Sequence, residues 1–374
     1  MTYLSSSARI ALSFCVVLGA RVAFGYGPIG HQTVGAVADE KLAGTPAGKK
    51  VAELLDGITL EKASVIADEI KGWDKVGADD PGIFHYSAHP KIDAQLRDFW
   101  RANQPTHDPN SPMPSHHWFH YTDVSVRDPE KYSDGKVGRS KWDIVQMIRL
   151  CVRVLKGDEP ENNARKITKP IAVILLAHFV GDIHQPLHVG AEYFDSKGQA
   201  INPDKGVTGL EDEGGNTLIL NLLAGTDPQP AKRPPKFHGF WDNDTVMANL
   251  PLLPETMPKE ERRAKTDAAR TALVHEFATH EPKNWRLPST IAVKDYSEAW
   301  ANEILPIARE AHERLTFRNV APLQQEDRVV AAGFADEKKS ADGATYYDWS
   351  ARVVRDQLHK AGWRLADLLE QALR

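Results

Sequence analysis

The sequence predicts an all-α, mostly helical fold in a single domain. Eight segments repeat apolar residues at helical spacing, whereas only residues 217–222, after Gly214-Gly215, have the composition of a β-strand. We expect that strand to pair in a small β-hairpin. No linker, repeat or low-complexity tract divides the roughly 350 residues after the N-terminal segment, and a chain of that length can bury one large core.

Local signals support the predicted helices in chain order. Thr45 caps the second helix, and Pro170 begins the fifth. Long irregular segments, about residues 78–117 and 190–213, lie between helices, and loops of that length in a compact domain are usually functional. The predicted helices cover residues 31–42, 46–55, 60–71, 140–155, 170–184, 259–279, 296–315 and 347–373.

The first 25 residues have the pattern of a secretory signal peptide. Arg9 precedes an apolar segment at 10–20, and small residues follow near the end of the stretch. The apolar segment is too short to span a bilayer comfortably, so we expect no membrane anchor after cleavage. The sequence therefore predicts a signal peptide at 1–25 and an exported domain, periplasmic or secreted, at 26–374.

Without that segment the protein is acidic and has no disulfide of its own. The full chain has a formal charge of -5, and residues 1–25 contain two arginines and no acidic residue, so residues 26–374 carry -7. Cys15 leaves with the signal peptide, and Cys151 lies among apolar residues. Such an exported protein is held together by its core, by metal or by both.

The stretch 178–188 places three imidazoles and a carboxylate within eleven residues. His178 and Asp182 lie four residues apart on a predicted helix and therefore share one face. His184 and His188 repeat the spacing, but Pro186 between them ends or kinks the helix. A lone buried histidine is more often a hydrogen-bonded core residue. Here an apolar helix ends in several groups that are costly to bury unpaired, which favours a metal site.

Metal-binding residue types recur at four other places. His31 follows the predicted new N-terminus at Tyr26 closely enough for the free amine and the imidazole to bind one ion. Asp68 lies toward the end of a predicted helix that is otherwise apolar on one side, residues 116–123 hold a second histidine cluster, and 237–242 repeats the His-x-x-x-Asp spacing. Each of these, taken alone, has an ordinary structural explanation as a solvated or hydrogen-bonded group.

Taken together and in order, these motifs resemble the zinc-dependent single-strand-specific nuclease family of the S-one/P-one type, in the phospholipase C/nuclease superfamily. The family pattern is an aromatic-Gly-x-x-Gly-His start, Ala-Asp, His-aromatic-x-Asp, His-Phe-x-Gly-Asp-x-x-Gln-Pro-Leu-His, Gly-Gly-Asn and His-x-x-x-Asp, and the chain contains every part. The resemblance covers nearly all of residues 26–374. It implies the helical zinc phospholipase C/nuclease fold and a bacterial exported member.

The resemblance also implies three zinc ions bound by nitrogen and oxygen ligands. It gives no ligand role to His117 or His184. The implied ligands are Asp68, His120 and His178 for the first ion, Tyr26 through its amine and carbonyl together with His31 for the second, Asp182 as the bridge between these two, and His188, His238 and Asp242 for the third.

The implied activity is hydrolysis of single-stranded DNA and RNA to 5′-phosphate products, with 3′-nucleotidase activity. A water between the two ions that share Asp182 would attack phosphorus in line, and the third ion would receive the leaving 3′-oxygen. The ions would attract a polyanion although the protein is acidic. The resemblance places Lys71 near the phosphate, Asp123 in the cleft, and Tyr121 and Asn216 at the base. No stable protein partner is implied.

Two alternatives remain open at this point. Zinc-dependent phospholipase C shares the helical scaffold, but its site for the third ion typically uses His-x-x-x-Glu, whereas this chain has His238 and Asp242. A zinc-binding helical protein without catalysis is the other. The family usually has Trp where Tyr26 stands and Arg where Lys71 stands, and Lys lacks the bidentate fork of Arg.

Overall fold

Helices form most of the regular structure, as the sequence predicts. The computed structural model describes residues 26–105, 111, 114–127, 129–230, 233–325 and 328–374, and the predicted signal peptide at 1–25 lies outside the described residues. Among the described residues, no helix has both the length and the apolar composition that crossing a bilayer requires. The helices are α1 Pro28–Leu42, α2 Pro46–Leu54, α3 Leu60–Ala63, α4 Ile66–Glu69, α5 Pro90–Ala102, α6 Ile144–Lys156, α7 Lys169–Asp182, α8 Phe237–Gly239, α9 Thr245–Met247, α10 Lys259–Thr279, α11 Tyr296–Glu313 and α12 Tyr346–Ala372.

Helix α7 forms the centre of the molecule. Thr168 caps it by accepting a hydrogen bond from the Ile171 N–H, and every residue from Ile171 to Asp182 is buried. A helix that is apolar all round requires neighbours on every side, and α1, α3, α6 and α12 surround it. The helix ends at Asp182 and is followed by a 3-10 turn, Pro186–His188, so Pro186 separates the two parts of the histidine stretch as predicted.

Helix α12 closes the core by packing along α1. Leu358, Leu365 and Leu369 of its predicted apolar stripe are buried. The two helices approach closely at Gly362, where an added Cβ would lie 2.5 Å from a methyl carbon of Val37. Cys151, on α6, is a buried free thiol.

The predicted helix at 60–71 is wrong in one respect that matters for the site. The chain forms α3, breaks at Ser64 and Val65, resumes as α4 and continues as a 3-10 turn, Ile70–Lys75. The Ser64 hydroxyl donates to the Glu61 carbonyl at 2.7 Å, which competes with the regular helical pattern. The break leaves the Ser64 carbonyl free to accept a hydrogen bond from His178 at 2.6 Å.

The predicted strand is confirmed, but its pairing is not that of a small hairpin. Strands β1 Val124–Ser125, β2 Gly190–Ala191, β3 Tyr193–Phe194, β4 Ala200–Ile201 and β5 Leu210–Glu211 are short. Strand β6, Leu218–Asn221, pairs in parallel with β8, Arg328–Glu337, which in turn forms a long antiparallel hairpin with β7, Leu315–Gln325. The hairpin was missed because most of β7 is exposed and lacks the alternation of a half-buried strand.

The segment predicted to be irregular from 78 to 117 contains a helix. Pro90 occupies the first turn of α5, and Ile92, Leu96 and Phe99 form a buried stripe at helical spacing. The stripe is short and surrounded by charged residues, which obscured its periodicity. The second irregular segment, 190–213, contains the short strands β2 to β5.

Candidate metal centre

Imidazole and carboxylate side chains converge at the C-terminal end of α7. The residues fall into groups whose ligand atoms lie within 4.8 Å of one another. The sequence analysis predicted all of these residues as ligands from motifs far apart in the chain. The groups are His31, His178 and Asp182; Asp68, His120 and His178; and His188, His238 and Asp242.

Asp182 lies between the first two groups. Its Oδ1 is 3.2 Å from His31 Nε2, and its Oδ2 is 2.9 Å from His120 Nδ1 and 3.1 Å from His178 Nε2. The four side chains are almost fully buried. One carboxylate thus faces both groups with different oxygens, which is the arrangement a bridging ligand requires.

His31 is held against α7 by close packing. Its ring stacks on His178 with centroids 3.9 Å apart and an interplanar angle of 16°. Gly181 makes this approach possible, because a Cβ there would lie 2.8 Å from His31 Nδ1. Both ring nitrogens of His31 and the Oδ1 of Asp182 are buried without a hydrogen-bond partner in the described part of the chain. Such atoms are costly to bury unless a cation or water satisfies them.

Several imidazoles are oriented by main-chain carbonyls. His178, His188 and His238 each donate from Nδ1, to the carbonyls of Ser64, His120 and Gly214 at 2.6, 2.7 and 2.8 Å. A carbonyl can only accept, so the proton is on Nδ1 and the Nε2 lone pair faces the group. Metal-binding histidines show this pattern, because the hydrogen bond fixes both the tautomer and the ring orientation.

The third group consists of His188, His238 and Asp242, whose ligand atoms lie close together. His238 Nε2 lies 3.2 Å from His188 Nε2 and 3.4 Å from Asp242 Oδ2. Gln185 donates to the other oxygen of Asp242 at 2.8 Å and thereby orients the carboxylate. Asp242 lies in a π-helical turn, Phe240–Asp244, and such wide turns often occur at functional sites.

The electrostatics keep most of these groups in their metal-binding forms. Burial lowers the pKa of His31, His120 and His188, so these imidazoles are neutral at neutral pH. Burial alone raises the pKa of Asp182, but His178 and the other surrounding imidazoles hold it well below its ordinary value. The pKa of Asp242 shifts in the opposite direction from that of Asp182, because burial and the nearby charge of Asp182 raise it.

Lys71 is buried beside the group that contains Asp68. Its Nζ is 2.7 Å from Asp68 Oδ1, which is itself 3.7 Å from His178 Nε2. Burial raises the pKa of Asp68, but the ammonium of Lys71 and the nearby imidazoles outweigh that effect and lower it. Lys71 therefore brings a positive charge to the edge of the centre.

Tyr26 is fully buried next to the third group. Its hydroxyl donates to the His184 carbonyl at 2.9 Å, and the adjacent Gly27 N–H donates to the Asp242 carbonyl at 2.8 Å. Ligation by its amine and carbonyl remains a prediction, since the preceding residues are not described. His184 points elsewhere: its Nδ1 donates to the Val180 carbonyl, and its Nε2 accepts from Arg364 at 3.0 Å.

Tyr121 and Asn216, predicted to contact the base, and Asp123, predicted to lie in the cleft, define a region that we call the predicted base pocket. Tyr121 directly follows His120 and lies against Trp118 with centroids 6.0 Å apart. Asp123 is 5% exposed, and burial together with Glu211 raises its pKa well above the ordinary value. Asn216 donates to the Glu213 carbonyl at 3.0 Å.

Sequence reasoning missed Arg328, which borders this pocket. Arg328 pairs with Glu213 and lies 3.5 Å from Glu211, and its guanidinium carbon is 5.6 Å from the centre of the Trp118 ring. It belongs to no motif and reaches the pocket only through the hairpin of β7 and β8, so the sequence offers no signal for it.

Comparison with known proteins agrees with this arrangement. The S1/P1 Nuclease family profile matches residues 26–374. The chain belongs to the S1/P1 nuclease family. The match begins at Tyr26 and includes every residue of the three groups.

Plant endonucleases are among the relatives that this S1/P1 family member matches. Endonuclease 1 of Arabidopsis thaliana is 28% identical over 163 residues, which are 38% of this chain and 45% of that protein. Endonuclease 4 of Arabidopsis thaliana is 34% identical over 79 residues, 21% of this chain and 18% of that protein. The chain therefore spans less than half the length of either curated relative.

Proposed function

We propose that the protein is a zinc-dependent endonuclease that hydrolyses single-stranded DNA and RNA to products with a 5′-phosphate, and that it also hydrolyses 3′-nucleotides. The observation that carries the proposal is the convergence of three His/Asp groups at the C-terminal end of α7, with three imidazoles fixed through Nδ1. Membership of the S1/P1 nuclease family supports a phosphoester substrate.

Zinc fits the donors that the chain presents. The ligand atoms are imidazole nitrogens and carboxylate oxygens, which zinc accepts, and the buried unpartnered atoms of His31 and Asp182 call for a cation. We assign one ion to each of the three groups, with Asp182 shared between the first two. When bound, zinc ions supply Lewis-acid chemistry: they lower the pKa of water and stabilise negative charge on a phosphate.

The chain's own residues would select and position the substrate. Lys71 brings a positive charge beside Asp68 that favours a phosphate at the edge of the centre. Tyr121 offers a stacking surface for an unpaired base, which explains a preference for single strands. Asp123, whose raised pKa favours the protonated form, can donate a hydrogen bond to a base acceptor, and Asn216 borders the same pocket.

We further propose that residues 1–25 are removed on export and that the amine and carbonyl of Tyr26 bind the ion beside His31. The hydrogen bond from the Gly27 N–H to the Asp242 carbonyl supports this proposal, because it fixes the main chain next to Tyr26 beside the metal centre. A Met retained before Tyr26 converts the amine into an amide, which is a poor metal ligand. We expect that form to bind zinc more weakly at this position in a competition titration, and equal affinity of the two forms would contradict the ligation.

Asp182→Asn provides the direct test of the shared carboxylate. Because Asp182 faces both groups, the variant is expected to hydrolyse single-stranded DNA more than about a hundredfold more slowly, since residues that only support metal ligands already cost 10–100-fold. Its circular dichroism spectrum should remain helical. Asp267→Asn, an exposed substitution on α10, is the matched control and should retain full activity.

The substrate class is tested with the wild-type protein. Single-stranded DNA, RNA, 3′-AMP and phosphatidylcholine are incubated with and without a chelator, and the products are analysed for 5′-phosphate ends. We expect hydrolysis of the nucleic acids and the nucleotide only in the absence of chelator. Cleavage of phosphatidylcholine alone would point to a phospholipase, and no hydrolysis of any substrate would indicate a zinc-binding protein without catalysis.

A further inference from the structure

A fourth group of possible metal ligands lies outside the three groups assigned above. It consists of Asp74, His116 and His117, whose ligand atoms also lie within 4.8 Å of one another. Asp74 Oδ1 is 3.2 Å from His116 Nε2, and Asp74 Oδ2 is 2.6 Å from His117 Nε2. Two consecutive histidines thus turn their rings toward one carboxylate, with the rings 4.8 Å apart and nearly perpendicular.

The surroundings of this group resemble those of a ligand cluster. Trp100 donates from Nε1 to Asp74 Oδ1 at 2.7 Å and orients the carboxylate, as Gln185 does for Asp242. His116 is 2% exposed, and burial lowers its pKa to about 4, so its ring is neutral at neutral pH. Although burial raises the pKa of Asp74, the hydrogen bonds from both histidines lower it below the ordinary value.

The group is open on one side. The side chains of Asp74 and His117 are 14% and 32% exposed, so an ion can enter past His117 and complete its coordination with water. Zinc holds such ligands at about 2.0–2.2 Å, which separates tetrahedral neighbours by roughly 3.3 Å. His116 Nε2 and Asp74 Oδ1 already lie at this separation, whereas the partly exposed His117, 2.6 Å from Asp74 Oδ2, must move outward to reach it.

We propose that Asp74, His116 and His117 form an accessory zinc site. The ion would join two short elements that carry ligands of the main centre. Asp74 lies in the 3-10 turn Ile70–Lys75, which follows the helix α4 that carries Asp68, and the two histidines begin the 3-10 turn that ends at His120. Zinc at this place would cross-link the segments that hold Asp68 and His120 without contacting the substrate.

The experiment compares the zinc bound per chain in the wild-type protein and in His117→Gln after dialysis at a fixed free zinc concentration. Glutamine can still donate a hydrogen bond to Asp74 but does not supply the imidazole ligand. We expect one ion fewer in the variant, with an unchanged helical spectrum. His275→Gln is the matched control, because His275 is 71% exposed and pairs with a carboxylate of Glu40, and its zinc count should equal that of the wild type.

A second variant, Asp74→Asn, should lose the same ion. Equal zinc counts in wild type and His117→Gln would overturn the proposal and leave the group as a hydrogen-bonded cluster. The test compares the zinc counts of the wild type and His117→Gln, so its outcome does not depend on the proposed function or on the total number of bound ions. If the wild-type protein bound a different total number of zinc ions than expected, the assignment of the main centre would be in question. A difference of one ion between the wild type and His117→Gln would still support the accessory site.

Discussion

At the scale of the residue, Gly181 controls how closely His31 approaches α7. Gly181→Ala places a methyl group 2.8 Å from His31 Nδ1, inside van der Waals contact, and the ring must move away from Asp182. We expect zinc affinity at this position to fall roughly 10–100-fold, by analogy with the loss of groups that orient metal ligands. The measurement is a zinc titration of the metal-free protein against a competing chelator.

Gly72→Ala is the control for this substitution. Gly72 lies in the 3-10 turn Ile70–Lys75, and an added Cβ there meets no atom within 4 Å. The control should bind zinc as the wild type does. If Gly181→Ala retained wild-type affinity, His31 would have to tolerate displacement, and its assignment as a ligand would lose support.

Spacing alone indicated only two ligands of the main centre, and the others were predicted through the resemblance of their motifs to the nuclease family. His178 and Asp182 share a helix face, and their motif is long enough to be specific. The accessory group could not be predicted, since Asp74 and His116 lie 42 positions apart and their partnership exists only in the fold. Arg328 was missed for the same reason, because its partners Glu211 and Glu213 are more than a hundred positions away.

At the scale of the element, the hairpin of β7 and β8 brings Arg328 to the pocket beside Tyr121. There it neutralises Glu211 and Glu213. Arg328→Ala removes the positive charge that pairs with both carboxylates, near the expected path of a polyanion. We expect the KM for single-stranded DNA to rise about tenfold, equivalent to ~1.4 kcal/mol, with little change in kcat, and steady-state kinetics would measure both.

Arg318→Ala on the neighbouring strand β7 is the matched control. Arg318 pairs with Asp336 on the surface of the same hairpin, and its side chain is 49% exposed, so its loss should leave KM unchanged. A similar rise in KM for both variants would show that the hairpin acts through its fold rather than through Arg328.

Elements with a strong local pattern were predictable, and those that depend on distant partners were not. Helices α7, α10 and α12 were predicted to within two residues at each end because their apolar residues recur regularly over several turns. The break at Ser64 was missed, since the sequence on either side is compatible with one helix. The tertiary structure requires this break, because the free carbonyl of Ser64 orients His178 on another helix.

At the scale of the whole molecule, buried histidines make stability depend on pH. Burial lowers the pKa of His31, His116, His120, His184 and His188, whereas at His178 and His312 the effect of burial is outweighed by nearby carboxylates, which raise the pKa. Their unfolded forms take up protons below about pH 6.5, whereas the folded forms stay neutral. Stability is therefore complete above pH 6.5 and is lost as the pH falls toward the lower folded pKa.

The metal-free protein should consequently be less stable at pH 5.5 than at pH 7.5. His116, with a folded pKa of about 4, alone accounts for about 1.4 kcal/mol of this difference. Urea unfolding of chelator-treated protein, followed by circular dichroism, measures the free energy of unfolding at both pH values. Equal or greater stability at pH 5.5 would mean that these imidazoles are protonated in the folded state.

Helix α7 is at once the most buried element and the carrier of His178 and Asp182, which has a consequence for inactivation by heat. Leu175 and Leu176 pack in the core within one turn of the ligand His178 on the same helix, and no other segment of the described chain lies between them. An ion bound there would stabilise the folded state, because the core cannot melt without separating the ligands of that ion. Calorimetry of the zinc-loaded protein should therefore record one transition, and its temperature should rise with the free zinc concentration.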